Sequence, residues 1–215
     1  EAVANSPTSL PERQVMLSNA ETLVQRFDYI VGRVDDVTKE MNSQIAGAVS
    51  EINQLAGGIA TLNDEISKVP GRGSGLPNDL LDQRDALIVQ LSSLVDTKTL
   101  AQDDGSLNVF IGRGQPLVTG TVAETLATQT DPDLGSTSIV TLSAFVAGSS
   151  DVSDFLTGGK LGAALTVTDE VVNPTRRELN LLAVGFAETV NAIQEAGDDL
   201  QGVDGVALFT ETEGV

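Results

Sequence analysis

Two residue types are missing from the chain altogether, since its 215 residues include no cysteine and no histidine. Their absence removes disulfides, thiol nucleophiles and Ser-His-Asp triads, together with the usual ligands of zinc and haem. It leaves the redox compartment open, although it is compatible with secretion without disulfide chemistry. We therefore expect no catalytic residues, no metal site and no cofactor, and we predict that the protein is not an enzyme.

Aromatic and basic side chains are also scarce. Aromatic residues make up 3% of the chain, with no tryptophan and one tyrosine, whereas 40% of the residues are hydrophobic. The core must then be aliphatic, which suits helix packing. The 12 Lys and Arg residues against 31 Asp and Glu residues leave a net charge of −19, which would repel nucleic acid and anionic membranes. A chain of this length allows one domain, or one domain and a fragment.

Long apolar runs are absent as well. No stretch reaches the roughly 18 apolar residues that a membrane span needs, and the longest run, residues 181–187, has the length of a helix core segment. The chain starts at Glu1 without a basic and then apolar signal segment. We expect it to be cytosolic, trimmed, or exported by a route that uses no cleaved signal.

One stretch, residues 10–69, carries a heptad repeat of apolar and small side chains, with one four-residue insertion. Such a repeat is typical of a coiled-coil seam. Its members are Leu23, Phe27, Ile30, Val34, Val37, Met41, Ile45, Ala48, Ile52, Leu55, Ile59, Leu62, Ile66 and Val69. We predict one helix, roughly 70 Å long over the seam, whose apolar side requires partner helices. Glycines at 47 and 57–58 permit a bend, but the seam keeps its phase through them, so we expect continuity.

Two helical regions downstream are the predicted partners. The first begins near Pro77 and carries a wide apolar stripe up to Val95. The second begins after Gly158-Gly159, is interrupted at Asn173-Pro174, and then carries a clear stripe to residue 196.

Between these regions the apolar period changes to two. Residues 107–111 and 116–119 flank a Gly-rich turn and predict a β-hairpin, and residues 138–143 predict a third strand. Three strands alone are marginally stable, so we expect this insertion to pack against the helices.

The elements together predict a mainly α fold with a small β insertion, an elongated helical bundle or coiled-coil rod domain that carries a β-hairpin. We expect residues 1–97 to hold the long helix and its antiparallel partner, and residues 98–158 to hold the insertion. Residues 159–197 would form the returning helix, and residues 198–215 the truncated start of a following domain.

Three carboxylates on the second predicted helix are the first candidates for chemistry. Asp79, Asp82 and Asp85 are three residues apart and share a helix face, as the paired acids of a hydrolase would. A solvated first turn, where negative charge suits the helix dipole, accounts for them without any chemistry, and we favour this interpretation.

Acidic and Gly-rich loops are the second group of candidates. Calcium could bind the Asp103-Asp104 pair or an acidic cluster of Asp198, Asp199 and Asp204, but neither has the spacing of a calcium loop. Residues 71–75 and 112–114 resemble phosphate-binding nests, but no Lys-Ser/Thr pair or βαβ frame accompanies them. Ordinary turn chemistry accounts for these loops, and we assign no site residues.

Five segments of the chain, taken in order, are typical of one known family. The most typical is Leu-Leu-Asp-Gln-Arg-Asp at 80–85, preceded by Pro-Asn-Asp. The others are residues 11–14 with 18–27, residues 52–56 with 59–66, the hairpin residues 102–109 with Gly-Gln-Pro-Leu-Val at 114–118, and residues 159–165 with 182–191. Together they resemble the bacterial flagellar hook-associated protein 1 (FlgK) family, the first hook–filament junction proteins, and the likeness covers roughly residues 10–210. The chain departs from the family at Leu208-Phe209, where one aromatic replaces the usual pair, and it lacks the family's Asn- and Ala-rich terminal segments.

The resemblance implies the helical rod, or D1-type, domain of a flagellin-like axial protein. It implies a non-enzymatic adaptor ring that joins the hook to the filament by lateral helix packing. The implied partners are the hook protein, the second hook–filament junction protein and copies of the chain itself, with an export chaperone bound through a C-terminal segment absent here. It also implies export through the flagellar type III channel without a cleaved signal peptide, and an extracellular location in the flagellum.

Two other functions stay open at this point. A cytosolic coiled-coil scaffolding or signalling module would place Ile45 in a parallel dimer interface, whereas an intramolecular bundle would bury it within the chain. A carboxylate-dependent hydrolase, for instance one acting on glycans, would use Asp79 and Asp82 and would need a concave pocket beside them. We further expect the chain to be monomeric in dilute solution.

Overall fold

The structure is a computed structural model, and it describes residues 9–69, 77–131, 137–144, 148–198 and 202–210. The chain divides into two compact units. Residues 1–37 and 172–215 form one, which we call the helical unit, and residues 38–171 form the other, which we call the mixed unit. The expected domain ranges follow the chain in order, whereas the helical unit combines residues from both ends of it.

The first helix, α1, spans Leu10–Ser67 and has 58 residues. The prediction of one long helix is therefore confirmed, and its C-terminal end lies two residues before the predicted Val69. The glycines do not interrupt it, and Gly32, Gly47 and Gly57 face open space, since a Cβ atom built on each meets no atom within 4 Å.

Burial along the seam changes where α1 leaves the helical unit and enters the mixed unit. In the mixed unit, Ile45 and Ile52 are fully buried. In the helical unit, Phe27 is half-buried, while Ile30 and Val37 are 43% and 41% exposed. The expectation that later helices cover the whole seam therefore needs correction, because the described residues cover its first part incompletely.

The second helix, α2, spans Asn78–Leu94, as predicted. It runs antiparallel to α1, because residues later in α2 contact residues earlier in α1. Asn63 bonds to Arg84, while a Cβ atom added to Gly58 would touch Leu87. Leu94 in turn shares a pocket with Ala48, fifteen residues before Asn63.

The hydrophobic core of the mixed unit joins α1 and α2 to the strands and to the helix that follows them. Its fully buried large side chains include Ile45, Ile52, Ile59, Leu91, Leu94, Ile111, Leu117 and Leu161. A parallel dimer through the seam would need the first three at its interface, but this chain's own core encloses them. The structure therefore does not support the scaffolding alternative.

The β region is larger than predicted. Its strands, β1 to β7 in chain order, are Thr97–Ala101, Leu107–Ile111, Gln115–Thr119, Val122–Ala123, Thr125–Thr130, Ser138–Ala144 and Gly148–Asp151. They form a four-stranded sheet of order β1-β2-β3-β4 and a three-stranded sheet of order β5-β6-β7, both antiparallel. The β2–β3 hairpin and β6 were predicted, whereas the expectation of three strands is wrong because four strands carry no alternation of large apolar residues.

Two asparagine side chains of α1 attach the second sheet to this helix. Asn53 donates to the carbonyl of Leu126 at 2.8 Å and accepts its N–H at 2.9 Å, as a neighbouring strand would. Asn42 accepts the N–H of Ser138 at 3.0 Å. Polar contacts to the backbone thus add to the attachment of this sheet, above all at β5, where Leu126 is the only buried side chain.

The predicted returning helix is built in two parts. A 3₁₀ turn at Ser153–Phe155 precedes helix α3, Gly159–Val167, and a π-helical turn at Thr168–Val172 leads into helix α4, Asn173–Glu195. Pro174 lies in the first turn of α4, where its missing N–H costs little. The predicted interruption at Asn173-Pro174 is confirmed, since a π-helical turn ends at Val172 and a new α-helix begins at Asn173. None of the helices within the described ranges is long and apolar enough to cross a membrane.

Candidate assembly groove

An apolar groove of about 750 Å³ lies within the helical unit. Helix α1 contributes the apolar side chains of Leu23, Val24, Phe27, Val31 and Val34. Helix α4 contributes those of Leu179, Ala183, Val184, Phe186 and Ala187. Phe209 and Thr210, from the segment after α4, also line the groove.

Helical periodicity explains why each wall is apolar. On α1, Phe27, Val31 and Val34 are spaced by four and three residues, and Leu179 and Ala183 on α4 are four apart, so each set shares a helix face. The predicted stripes thus supply part of both walls. Sequence reasoning missed Val24 and Val31, because they lie beside the heptad seam instead of on it.

An ion pair links the two walls at one end of the groove. The Arg176 Nη2 atom lies 2.6 Å from Asp35 Oδ1, and the two side chains are 28% and 44% exposed. A pair with this much solvent access adds at most about 1 kcal/mol to stability. Its main effect is to set which residues of α1 and α4 face each other.

The segment after α4 is fastened to the other end of the groove by Asn191. This buried side chain donates from Nδ2 to the Phe209 carbonyl at 2.7 Å. Its Oδ1 accepts the N–H groups of Leu208 and Phe209, each at 2.9 Å. The Phe209 ring meets that of Phe186 edge-on, with centroids 5.7 Å apart. No sequence pattern indicated this contact except the family likeness around Asn191.

Most large hydrophobic side chains described in the helical unit are exposed or only half-buried. Of the buried hydrophobic side chains in the described residues, Val172 alone belongs to this unit. On the groove walls, Val31 is 45% exposed and Val184 and Phe186 are each 41% exposed. Contiguous exposed apolar surface of this kind marks a binding site in most soluble proteins.

The predicted carboxylate candidates do not form a comparable site. Asp79, Asp82 and Asp85 are exposed along α2. Across the ranges that the structure describes, no group of three or more acidic side chains is placed to hold a metal ion. The structure therefore gives these residues the solvated positions that the helix-dipole interpretation requires.

Asp104 is explained by turn chemistry. Its Oδ1 accepts the hydroxyl and the N–H of Ser106, at 2.6 and 2.9 Å, and so shapes the turn between β1 and β2. Because these bonds favour the charged carboxylate, they lower the pKa of Asp104, with the Ser106 hydroxyl as the larger cause. Neighbouring Asp103 is exposed.

The remaining loop candidates for phosphate or calcium are also explained by bonds within the chain where the structure describes them. The amides of Gly112 and Arg113 donate to the carbonyls of Asp96 and Phe155, at 2.8 and 2.9 Å, so they are not free to cradle a phosphate. Asp198 and Asp204 pair through a single antiparallel β-bridge. Residues 71–75 and Asp199 lie outside the described residues.

Sequence reasoning also missed a buried polar centre in the mixed unit. Asn63, fully buried, receives a hydrogen bond from Arg84 Nη1 at 3.0 Å, and the same Nη1 donates to the Gly105 carbonyl at 2.9 Å. Burial lowers the pKa of Arg84, while the charge of Asp85 raises it by less. This arginine belongs to the Leu-Leu-Asp-Gln-Arg-Asp segment, the most typical of the five segments that carry the family resemblance. Through Arg84, that segment of α2 binds both α1 and the turn between β1 and β2.

Comparison with known proteins gives a consistent result. A family model described as "Flagellar hook-associated protein FlgK helical domain" matches residues 1–209. Flagellar hook-associated protein 1 of Escherichia coli (strain K12) is 36% identical over 199 residues, which cover 92% of this chain and 36% of that protein. Its counterpart in Bacillus subtilis (strain 168) is 25% identical over 236 residues, which cover 99% of this chain and 46% of that protein.

A solved structure shares the fold. The flagellar hook junction protein FlgK from Burkholderia pseudomallei superimposes with a TM-score of 0.85 at 32% sequence identity, over 97% of this chain and 38% of that chain. This chain therefore spans less than half the length of the relatives that it matches.

Proposed function

This chain belongs to the family of the flagellar hook-associated protein FlgK helical domain, and we propose that it is a structural part of the bacterial flagellum, placed where the hook joins the filament. The observation that carries the proposal is the apolar groove of the helical unit, whose walls on α1 and α4 are partly exposed. A chain that works by assembly needs such a surface, whereas a self-sufficient domain would enclose it.

The proposed partners are copies of this chain in a ring, the hook protein and the second hook–filament junction protein. Each lateral contact between helical units is weak by itself, but contacts add up around a closed ring. The net charge of −19 supports contact through an apolar surface, because charged faces of two copies would repel each other.

The proposal includes no chemistry. The chain has no cysteine or histidine, and the carboxylates considered as acids are exposed along α2. It also includes export through the flagellar type III channel without a cleaved signal peptide, and an extracellular location. The scarcity of aromatic residues and the lack of cysteine suit a chain that is threaded unfolded through a narrow channel.

Deletion of the gene in its own bacterium tests the proposed role at the junction of hook and filament. We expect hooks without attached filaments and loss of swimming, both restored by the intact gene, as seen by electron microscopy and motility assays. Normal filaments on the hooks of the deletion strain would overturn the proposal.

A charged substitution tests the groove. Val31→Glu places a carboxylate on the α1 wall, which should block assembly because the charge would lose water on contact. The matched control is Val89→Glu, which changes a 71% exposed valine of α2 in the mixed unit. Equal motility of both variants, at equal protein level, would show that the groove is not the contact.

A further inference from the structure

The segment of residues 202–210, which we call the strap, lies against the C-terminal part of α4. The Gly205 N–H donates to the Gly197 carbonyl at 2.8 Å. A Cβ atom on Gly205 would lie 1.9 Å from the Gln194 carbonyl oxygen, so the backbone of the strap approaches the end of α4 as closely as glycine allows. The strap therefore has a defined place on the helix.

The strap also forms part of the groove. The ion pair of Arg176 with Asp35 marks one end of the groove, and Phe186 lies ten residues further along α4. Because the Phe209 ring contacts Phe186, the strap adds its aromatic side chain to the opposite end. The strap therefore forms part of the groove lining at this end.

Few contacts hold the strap in place, and most of them lie at its last residues. Val203 and Val206 are 59% and 78% exposed, so they add little hydrophobic stabilisation, whereas Leu208 and Phe209 are half-buried. The three hydrogen bonds of Asn191 all go to Leu208 and Phe209. A segment held by so few contacts opens at low free energy compared with a packed core.

We propose that the strap is a movable cover for this end of the groove, and that the hydrogen bonds of Asn191 hold it in the closed position. The proposal rests on the assembly function proposed above, since the groove that the strap lines is the contact surface proposed there. Closed, the strap keeps two aromatic rings paired with each other. Open, it exposes the parts of both rings that contact each other in the closed position.

Hydrogen exchange of the full chain tests whether Asn191 holds the strap closed. Asn191→Ala removes three hydrogen bonds of about 1 kcal/mol each, so the amides of Leu208 and Phe209 should exchange about 100-fold faster. Thr189→Ala is the matched control, because its hydroxyl bonds within α4, to the Gly185 carbonyl, and it should leave strap exchange unchanged. Unchanged exchange in Asn191→Ala would overturn the role of Asn191.

Binding of the apolar dye ANS to the same variants tests the cover. Asn191→Ala should bind more dye than Thr189→Ala, because the end of the groove is uncovered. Faster exchange with equal dye binding would mean that the strap opens without enlarging the groove, which overturns the proposal. If Asn191→Ala loses helix content, Asn191→Asp serves instead. This variant keeps the acceptor oxygen, loses the bond to the Phe209 carbonyl, and should speed exchange about fivefold. Neither readout requires assembly, so failure here is distinct from failure of the gene-deletion test.

Discussion

Asn63 satisfies all of its hydrogen-bonding capacity inside the mixed unit. Its Nδ2 donates to the carbonyls of Leu107 and Gly120, at 2.8 and 2.6 Å. Its Oδ1 accepts from the Leu107 N–H at 3.1 Å and from Arg84 at 3.0 Å. A buried amide that uses both donors and both lone pairs specifies one register between α1 and the first sheet.

Replacing this residue should be costly. Asn63→Ala leaves the Leu107 and Gly120 backbone groups and the Arg84 guanidinium without their partner in a buried site. We expect the free energy of unfolding to fall by about 3 kcal/mol, measured by urea denaturation.

Gln54→Ala is the control for this experiment, since it is exposed on the same helix and should change stability by no more than about 0.5 kcal/mol. Similar losses in both variants would mean that the buried network contributes nothing beyond helix propensity.

Asp104 gives a prediction about pH. Its pKa is lower in the folded chain than in the unfolded chain, so folding favours the charged form. Its contribution to stability is therefore present above the ordinary pKa of aspartate and is lost as the pH falls through the lower folded value. Asp104→Ala should lower the melting temperature at pH 7, and the difference from the parent chain should shrink in acid.

The control for net charge is Asp103→Ala, which removes the neighbouring exposed carboxylate and leaves both Ser106 bonds in place. If the two variants have the same melting temperature at pH 7 as well as at low pH, the turn does not depend on Asp104.

At the level of the elements, apolar periodicity predicted the helices and the β2–β3 hairpin because each buries a regular face. It failed for β5, where Leu126 is the only buried side chain among six residues. That strand is held by backbone pairing with β6 and by Asn53, and a side-chain pattern carries no information on either.

The groove was predicted only in part. The apolar stripes of its two walls follow from helical periodicity, but which residues of α1 and α4 face each other depends on the Arg176–Asp35 ion pair.

Two glycines at helices should respond oppositely to alanine. Gly47, inside α1, has open space around an added Cβ atom, so Gly47→Ala should stabilise the chain by about 1 kcal/mol. Gly159 begins α3 at a φ of +58°, and its added Cβ atom would lie 2.3 Å from the carbonyl carbon of Leu94. Gly159→Ala should therefore lower the melting temperature clearly. Thermal unfolding followed by circular dichroism measures both, and destabilisation by Gly47→Ala would indicate that an atom approaches that face.

For the whole molecule, the unequal cores of the two units have a consequence along a single helix. The mixed unit encloses the α1 side chains of Ile45, Ile52 and Ile59, whereas the helical unit leaves Ile30 and Val37 more than 40% exposed. Helices gain most of their stability from packing an apolar face, so one continuous helix should have two levels of local stability.

Hydrogen exchange of the isolated chain measures this difference. Amides of α1 in residues 14–37 should exchange at least about tenfold faster than those in residues 45–66, which corresponds to about 1.4 kcal/mol of local opening free energy. Amides of α4 should follow the faster group, because this helix packs in the same unit as the first part of α1. Assembly that fills the groove should slow exchange in α4 and in residues 14–37 and leave residues 45–66 unchanged. Uniform protection along α1 in the isolated chain would contradict this account, since it would mean that the helical unit is already as stable as the mixed unit without a partner.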